Sequence, residues 1–110
     1  MSHRLPPEPG AEDGYHLTLF VSGASDLSAR AIAAAGQLCD GHLSGRCHLT
    51  VIDIHDDPDA AVRSRVYAVP ALVRTRPLPV RRVVGDLSRT GHVLSALRLS
   101  RTRDMAEHPA

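Results

Sequence analysis

Residues 68–88 read AVPALVRTRPLPVRRVVGDLS, and this stretch contains two short runs of β-forming residues, Ala71–Thr75 and Val80–Val84. The four residues between them, Arg76–Pro79, include two prolines, which favour a stiff turn and an antiparallel hairpin. Pro70 stands at the entrance of the first run, where a strand tolerates a residue without an amide proton. The stretch therefore predicts the last two strands of a sheet.

A helix is predicted to follow this hairpin. Asp86 or Ser88 is its expected N-cap, because short polar side chains accept hydrogen bonds from the first free amides of a helix. Val93, Leu94 and Leu97 recur at helical spacing beyond the cap. These three side chains are predicted to face the core.

The chain upstream of the hairpin predicts a strand, a helix and a second strand. Tyr15–Val21 and Cys47–Ile54 are rich in β-forming residues. Between them, apolar residues at helical spacing follow a cap at Ser25 or Asp26. The helix residues predicted to face the core are Leu27, Ala31, Ala34, Ala35 and Leu38. A strand, helix and strand of this length favour a right-handed parallel crossover.

A short helix from Asp59 to about Tyr67 is predicted between these two halves, with Asp57 as its cap and Pro58 in its first turn. The complete order is βαβαββα. This order is the topology of the thioredoxin-like α/β fold, in which a proline entering the third strand is cis, and Pro70 occupies that position. A cis bond is therefore expected before Pro70.

Length and composition limit the domain organisation and the function classes. A chain of 110 residues that is 43% hydrophobic can bury one core but not two. We expect residues 1–14, which are rich in proline, glycine and charge, to form a disordered leader, residues 15–99 to fold, and residues 100–110 to form a flexible tail. The formal net charge of +1 argues against general attraction to nucleic acid or membranes, and no apolar run is long enough to span a bilayer.

The two cysteines, Cys39 and Cys47, are predicted to be reduced thiols in a cytoplasmic protein, since no apolar leader precedes them. A disulfide between them is the alternative. A redox enzyme of this fold places Cys-x-x-Cys at the start of its first helix, where the helix dipole lowers the thiol pKa. Residues Gly23–Leu27 occupy that position and include no cysteine. An oxidoreductase that uses a single cysteine remains the alternative function from a different class.

Metal and cofactor sites are not predicted. The seven histidines lack the Cys/His spacing of a zinc site. The aspartates near residue 56 lack the glycine and terminal glutamate of an EF-hand, so helix capping accounts for them better.

Six arginines and no acidic residue occur between Arg63 and Arg82. This asymmetry predicts a docking surface for an acidic protein, because the Arg fork pairs bidentately with carboxylates. We nominate Arg65, Arg74 and Arg81 as its charge anchors. A merely solvated face is the alternative. Nucleic-acid binding is a weaker interpretation of this surface, because apart from Tyr67 the segment has no aromatic side chain that could stack on a base.

Four segments of the sequence resemble the KaiB family of circadian clock proteins. They are Leu19–Gly23, Val51–Ile54 with Pro58, Ala68–Leu72, and Pro77–Ser88, of which the last is the most specific. The resemblance covers about residues 16–99.

The resemblance implies a function and an unusual fold behaviour. KaiB-like proteins have no enzymatic activity, bind the KaiC-like RecA-type ATPase, a hexamer, and compete there for signalling partners. The family is also metamorphic, with a ground state that differs from the thioredoxin-like fold in its C-terminal half. We therefore expect a non-enzymatic adaptor without a cofactor, in circadian or stress-related signalling, whose half from about Asp56 to Leu99 can occupy two folds. The resemblance allows a homodimer or homotetramer.

Overall fold

The computed structural model describes residues 14–43 and 46–99 of the chain. The predicted tail and all of the predicted leader except Gly14 lie outside the described residues. Within the described part, no helix is long and apolar enough to cross a membrane.

Four strands form one sheet in the order β2-β1-β3-β4. Strand β1 pairs in parallel with β2 and antiparallel with β3, and β3 pairs antiparallel with β4. The strands span Tyr15–Val21 (β1), Cys47–Asp53 (β2), Ala71–Arg76 (β3) and Arg81–Val84 (β4). The predicted βαβ unit and the predicted hairpin are both confirmed.

Three α-helices complete the predicted order: α1 (Asp26–Gln37), α2 (Pro58–Arg63) and α3 (Thr90–Ala96). Helix α1 continues into a π-helical turn, Leu38–His42. The caps of the first two helices are confirmed, because the side chain of Ser25 accepts from the Ser28 amide and that of Asp57 accepts from the Ala60 amide. Helix α2 ends at Arg63, four residues earlier than predicted.

The predicted N-cap of α3 is wrong. The helix begins at Thr90 after Arg89, whose side chain makes no capping hydrogen bond. Asp86 instead accepts hydrogen bonds from the amide and the hydroxyl of Ser88, at 2.9 and 2.6 Å. This local bond forms an Asx turn that leads the chain from β4 into α3, so both residues precede the helix.

The two faces of the sheet bury separate cores. Helices α1 and α3 cover one face, where Leu17, Leu19 and Leu72 are almost completely buried and Val93, Leu94 and Leu97 pack against them as predicted. The other face carries the smaller core, in which Phe20, Ala71 and Val73 contact Ala60, Ala61 and Val66 of α2 and the turn after it.

Leu27 is a correction to the predicted core. Its side chain is 58% exposed, whereas Ser28 on the same first turn of α1 is buried. The Ser28 hydroxyl donates to the Ser22 carbonyl at 3.1 Å and accepts from the Ser25 hydroxyl at 3.1 Å. These bonds hold the first turn of α1 with Ser28 inward, so Leu27 faces outward.

Candidate functional site

The surface around α2 exposes apolar side chains that the smaller core does not use. Val62 is 72% exposed and Tyr67 is 87% exposed. Helix α2 has only six residues, and it turns Ala60 and Ala61 toward the sheet. A helix this short covers the centre of the sheet and leaves its own outer side and the neighbouring strand open.

Strand β4 extends the same surface. Arg82 pairs in register with Val73, and Val84 pairs with Ala71, so both β4 residues lie on the side of the sheet that carries α2. Val84 is 49% exposed. The Arg82 guanidinium donates to the Ser64 carbonyl at 3.0 Å, which connects β4 to the end of α2. We call Val62, Arg65, Tyr67, Arg82 and Val84 the α2 face.

Arg65, the first of the three nominated arginines, belongs to the α2 face. It is exposed, and its backbone has a φ of 57°, a left-handed conformation that is uncommon outside glycine. The Arg65 amide donates to the Val62 carbonyl at 3.0 Å, and the next residue, Val66, packs into the smaller core. The turn thereby places Arg65 at the exposed end of α2 beside Tyr67.

The other two nominated arginines lie on the opposite side of the sheet. Arg74 and Arg81 are paired in register, on the face that carries Leu72 and Val83 under α1 and α3. Arg74 is only 5% exposed, and Arg81 is half-buried. The structure therefore separates Arg65 from Arg74 and Arg81, and the role of the three as charge anchors for a partner stays a prediction.

The peptide bond between Val69 and Pro70 is cis, as predicted. Pro70 lines an open cleft of about 710 Å³ between α1 and the turn before α3. Leu27, Arg30 and Asp86 also line this cleft. The start of α1, where a redox protein of this fold carries its cysteines, here presents Ser25, Asp26 and Leu27.

The prediction of reduced thiols is wrong. Cys39, in the π-helical turn, and Cys47, at the start of β2, form a disulfide with their Cα atoms 5.3 Å apart. Their elements meet because the parallel crossover returns the chain beside β1 only a few residues after α1. The disulfide lies at the C-terminal end of α1, away from the helix start that activates a thiol.

Asp53 ties the carboxyl ends of β1 and β2 together. Its two carboxylate oxygens accept from the His55 amide at 2.9 Å and from the Gly23 amide at 3.1 Å. These hydrogen bonds, the one from His55 first, hold the pKa of Asp53 below its ordinary value. The ring of His55 in turn bonds the Ser22 hydroxyl at 2.9 Å. Gly23 has a φ of 67°, which the tight turn out of β1 requires.

Histidines and acidic residues do not assemble into a metal centre in the part of the chain that the structure describes. The rings of His16 and His48 stack at 4.6 Å across the β1–β2 pair. This contact is explained by the register, since the two residues are directly opposite each other.

The thioredoxin-like topology extends over almost the whole described chain. Residues 18–99 match the family model of the KaiB domain. The chain belongs to the KaiB family. The most specific sequence segment of the resemblance, Pro77–Ser88, spans β4 and the Asx turn, and Pro70 lines the cleft beside them.

Curated relatives of this KaiB-family chain are clock proteins. It is 38% identical over 85 residues to the circadian clock oscillator protein KaiB of a Synechococcus species, an alignment that covers 77% of this chain and 83% of that protein. It is 32% identical over 81 residues to the circadian clock protein KaiB3 of a Synechocystis species, covering 74% and 79%. These relatives support a KaiB-like clock role.

Solved structures show the same fold. The N-terminal domain of Synechococcus elongatus SasA superposes with a TM-score of 0.67 at 19% identity, covering 100% of this chain and 96% of that one. Thioredoxin O2 of Arabidopsis thaliana, in its oxidised state, gives a TM-score of 0.61 at 20% identity, covering 80% of each chain. The KaiB-family chain is thus thioredoxin-like in this conformation.

Sequence reasoning named Arg65 but missed the apolar part of the α2 face. The signal available was the weak amphipathicity of the segment from Asp59 to Tyr67. A helix that leaves apolar residues off its inner stripe either exposes them or uses them to bind another surface.

Proposed function

We propose that this KaiB-family protein is a non-enzymatic adaptor that docks on a KaiC-like ATPase through the α2 face. The observation that carries the proposal is the exposure of Tyr67 and Val62 beside Arg65 and Arg82. Tyrosine and arginine are the residue types that most often dominate binding energy at protein interfaces. An exposed apolar pair bordered by guanidinium groups fits a partner surface with an apolar pocket and acidic residues around it.

Charge supports an acidic partner for this face. No Asp or Glu occurs from Arg63 to Arg82, so the end of α2 and the exposed side of β4 carry positive charge only. Guanidinium groups pair with carboxylates in a fixed fork geometry, which would fix the orientation of the complex. Arg74 and Arg81 are left out of the docking surface, because they lie under the opposite face.

The binding constant for a KaiC-class ATPase purified from the same organism tests the proposal. Arg65→Gln and Tyr67→Ala are each expected to weaken binding at least tenfold, which corresponds to about 1.4 kcal/mol. Arg30→Gln is the matched control, because Arg30 is an exposed arginine on α1, across the sheet from α2. Its binding is expected to change less than twofold.

Two results would overturn the proposed docking face. Unchanged binding in both α2-face variants, with a functional wild-type complex, would place the interface elsewhere. Equal weakening in Arg65→Gln and Arg30→Gln would show that general charge, rather than this surface, attracts the ATPase.

A single-cysteine oxidoreductase is not favoured by the geometry. Cys39 is 6% exposed, and both sulfur atoms belong to the Cys39–Cys47 disulfide. An insulin-reduction assay decides the point: activity that Cys39→Ser or Cys47→Ser abolishes would support the enzyme over the adaptor.

A further inference from the structure

Arg74 is the most deeply buried charged side chain among the described residues, at 5% exposure. Its guanidinium donates to the Pro79 carbonyl at 2.8 Å and to the Arg98 carbonyl at 3.3 Å. Its Nε–H group is buried without a hydrogen-bond partner. Leaving a buried donor of a charged group unpaired is unfavourable, so such a group calls for an explanation.

Neighbouring arginines add to the uncompensated positive charge around Arg74. Arg81 is directly opposite Arg74 on the paired strand, and its Nε–H group is also buried without a partner. Like charges at directly opposite positions of a sheet repel each other. Burial first, then the charge of Arg81 and, to a smaller extent, that of Arg98 lower the pKa of Arg74, and Tyr15 partly opposes them. Within residues 14–43 and 46–99, the structure shows no carboxylate in contact with the Arg74 guanidinium.

We propose that Arg74, Arg81 and Arg98 form a binding site for an oxyanion, that is, a carboxylate or a phosphate-type group. Guanidinium groups offer donors in a plane that matches both kinds of anion, and the two unpartnered Nε–H groups supply donors for it. Arg98 follows α3 with a φ of 54° and is exposed, so it is the solvent-facing member of the site. The anion would offset the positive charges of Arg81 and Arg98 that act on Arg74.

Two sources can supply this oxyanion. One is a free inorganic anion such as phosphate. The other is a carboxylate of this chain's own C-terminal segment, since Asp104 and Glu107 follow Arg98 by six and nine residues. Six residues can extend up to about 20 Å, which is far enough to return to the neighbouring side chain.

The experiment uses the ¹⁵N-labelled full chain without any partner, so its result is independent of ATPase binding. The Nε–H signals of Arg74 and Arg81 are followed while inorganic phosphate is added, and sodium chloride of matched ionic strength is the reference. We expect saturable shifts of both signals with phosphate and not with chloride. Arg81→Gln is expected to weaken phosphate binding at least tenfold. Arg82→Gln, the adjacent residue on the opposite face, is expected to leave it unchanged.

A second variant separates the two sources. If the tail supplies the anion, Asp104→Asn combined with Glu107→Gln shifts the Nε–H signals in phosphate-free buffer and increases the affinity for phosphate. If the source is a free anion, this double variant binds phosphate as the wild type does. Arg98→Gln replaces Arg81→Gln if the latter does not fold. Shifts that do not saturate, or equal weakening by Arg81→Gln and Arg82→Gln with no response to the tail variant, would overturn the site.

Discussion

Phe20→Ala is expected to destabilise the fold more than other single truncations on the α2 side of the sheet, because Phe20 is the largest side chain in the smaller core. It is 1% exposed, and the other buried members of its cluster are alanines and the valines Val66 and Val73. Three partly buried side chains pack against this cluster: Ile52, Ile54 and Val69. Short side chains cannot move far enough to fill the space of a ring. The loss should therefore reach the range of about 3–5 kcal/mol found for buried Phe-to-Ala changes.

Equilibrium urea denaturation measures this loss, and Leu27→Ala is the matched control. Leu27 has the pattern of a core residue in the sequence but is 58% exposed in the structure, so its truncation should change stability by less than about 0.5 kcal/mol. Phe20→Leu serves if the alanine variant does not fold, with a smaller loss of the same sign. A Phe20→Ala loss below about 1 kcal/mol, or a larger loss for Leu27→Ala, would refute the assignment of the two cores.

Two further perturbations test the remaining contacts. Cys47→Ser should lower the free energy of unfolding by about 2–3 kcal/mol in non-reducing buffer, the value expected for opening the short Cys39–Cys47 loop. Under strong reductant, the variant and the wild type should be equally stable. A thiol assay that finds two free thiols in the non-reduced wild type would contradict the pairing. Asp53→Asn should be less stable than the wild type at neutral pH. This difference in the free energy of unfolding should shrink as the pH falls below the ordinary Asp pKa of 3.8. The reason is that a carboxylate with a lowered folded-state pKa stabilises the fold only while it is ionised. Denaturation of both proteins from pH 7 to pH 2 checks the sign of this effect. A stability difference that stays constant with pH would show that the hydrogen bonds from the His55 and Gly23 amides do not depend on the charge of Asp53.

Local patterns predicted the elements that depend on neighbouring residues. The β-rich run Tyr15–Val21, the Ser25 cap and the Asp57–Pro58 start of α2 were all predicted, since capping chemistry acts over three residues. Helical periodicity failed at Leu27 because spacing alone does not separate a side chain that lines a cleft from one in the core.

Long-range geometry explains what the sequence did not reveal about the candidate site. The alternation of side chains along a strand does not say which face of the sheet Arg74 or Arg82 lies on, because the face depends on the register. Only the pairing of β3 with β4 places Arg81 opposite Arg74. The burial of Arg74 runs against the usual exposure of arginine, because two backbone carbonyls from distant loops hold it. Predicting the disulfide requires the distance between the π-helical turn and β2. The expected redox state of the cell compartment does not provide that distance.

The predicted occupation of two folds by the half from about Asp56 to Leu99 stays a prediction. It rests on the family resemblance, and the structure describes the thioredoxin-like arrangement. Amide signals that double only after Ile54 would support it, and a single set under all conditions would count against it.

Hydrogen–deuterium exchange of the chain bound to the KaiC-class ATPase tests the proposed docking surface most directly, because it locates contacts residue by residue. The docking proposal predicts slower exchange in residues 60–67 and 81–84, on the α2 face, with α1 unchanged from the free protein. Slower exchange in α1 with residues 60–67 unaffected, or no complex with the ATPase, would contradict it.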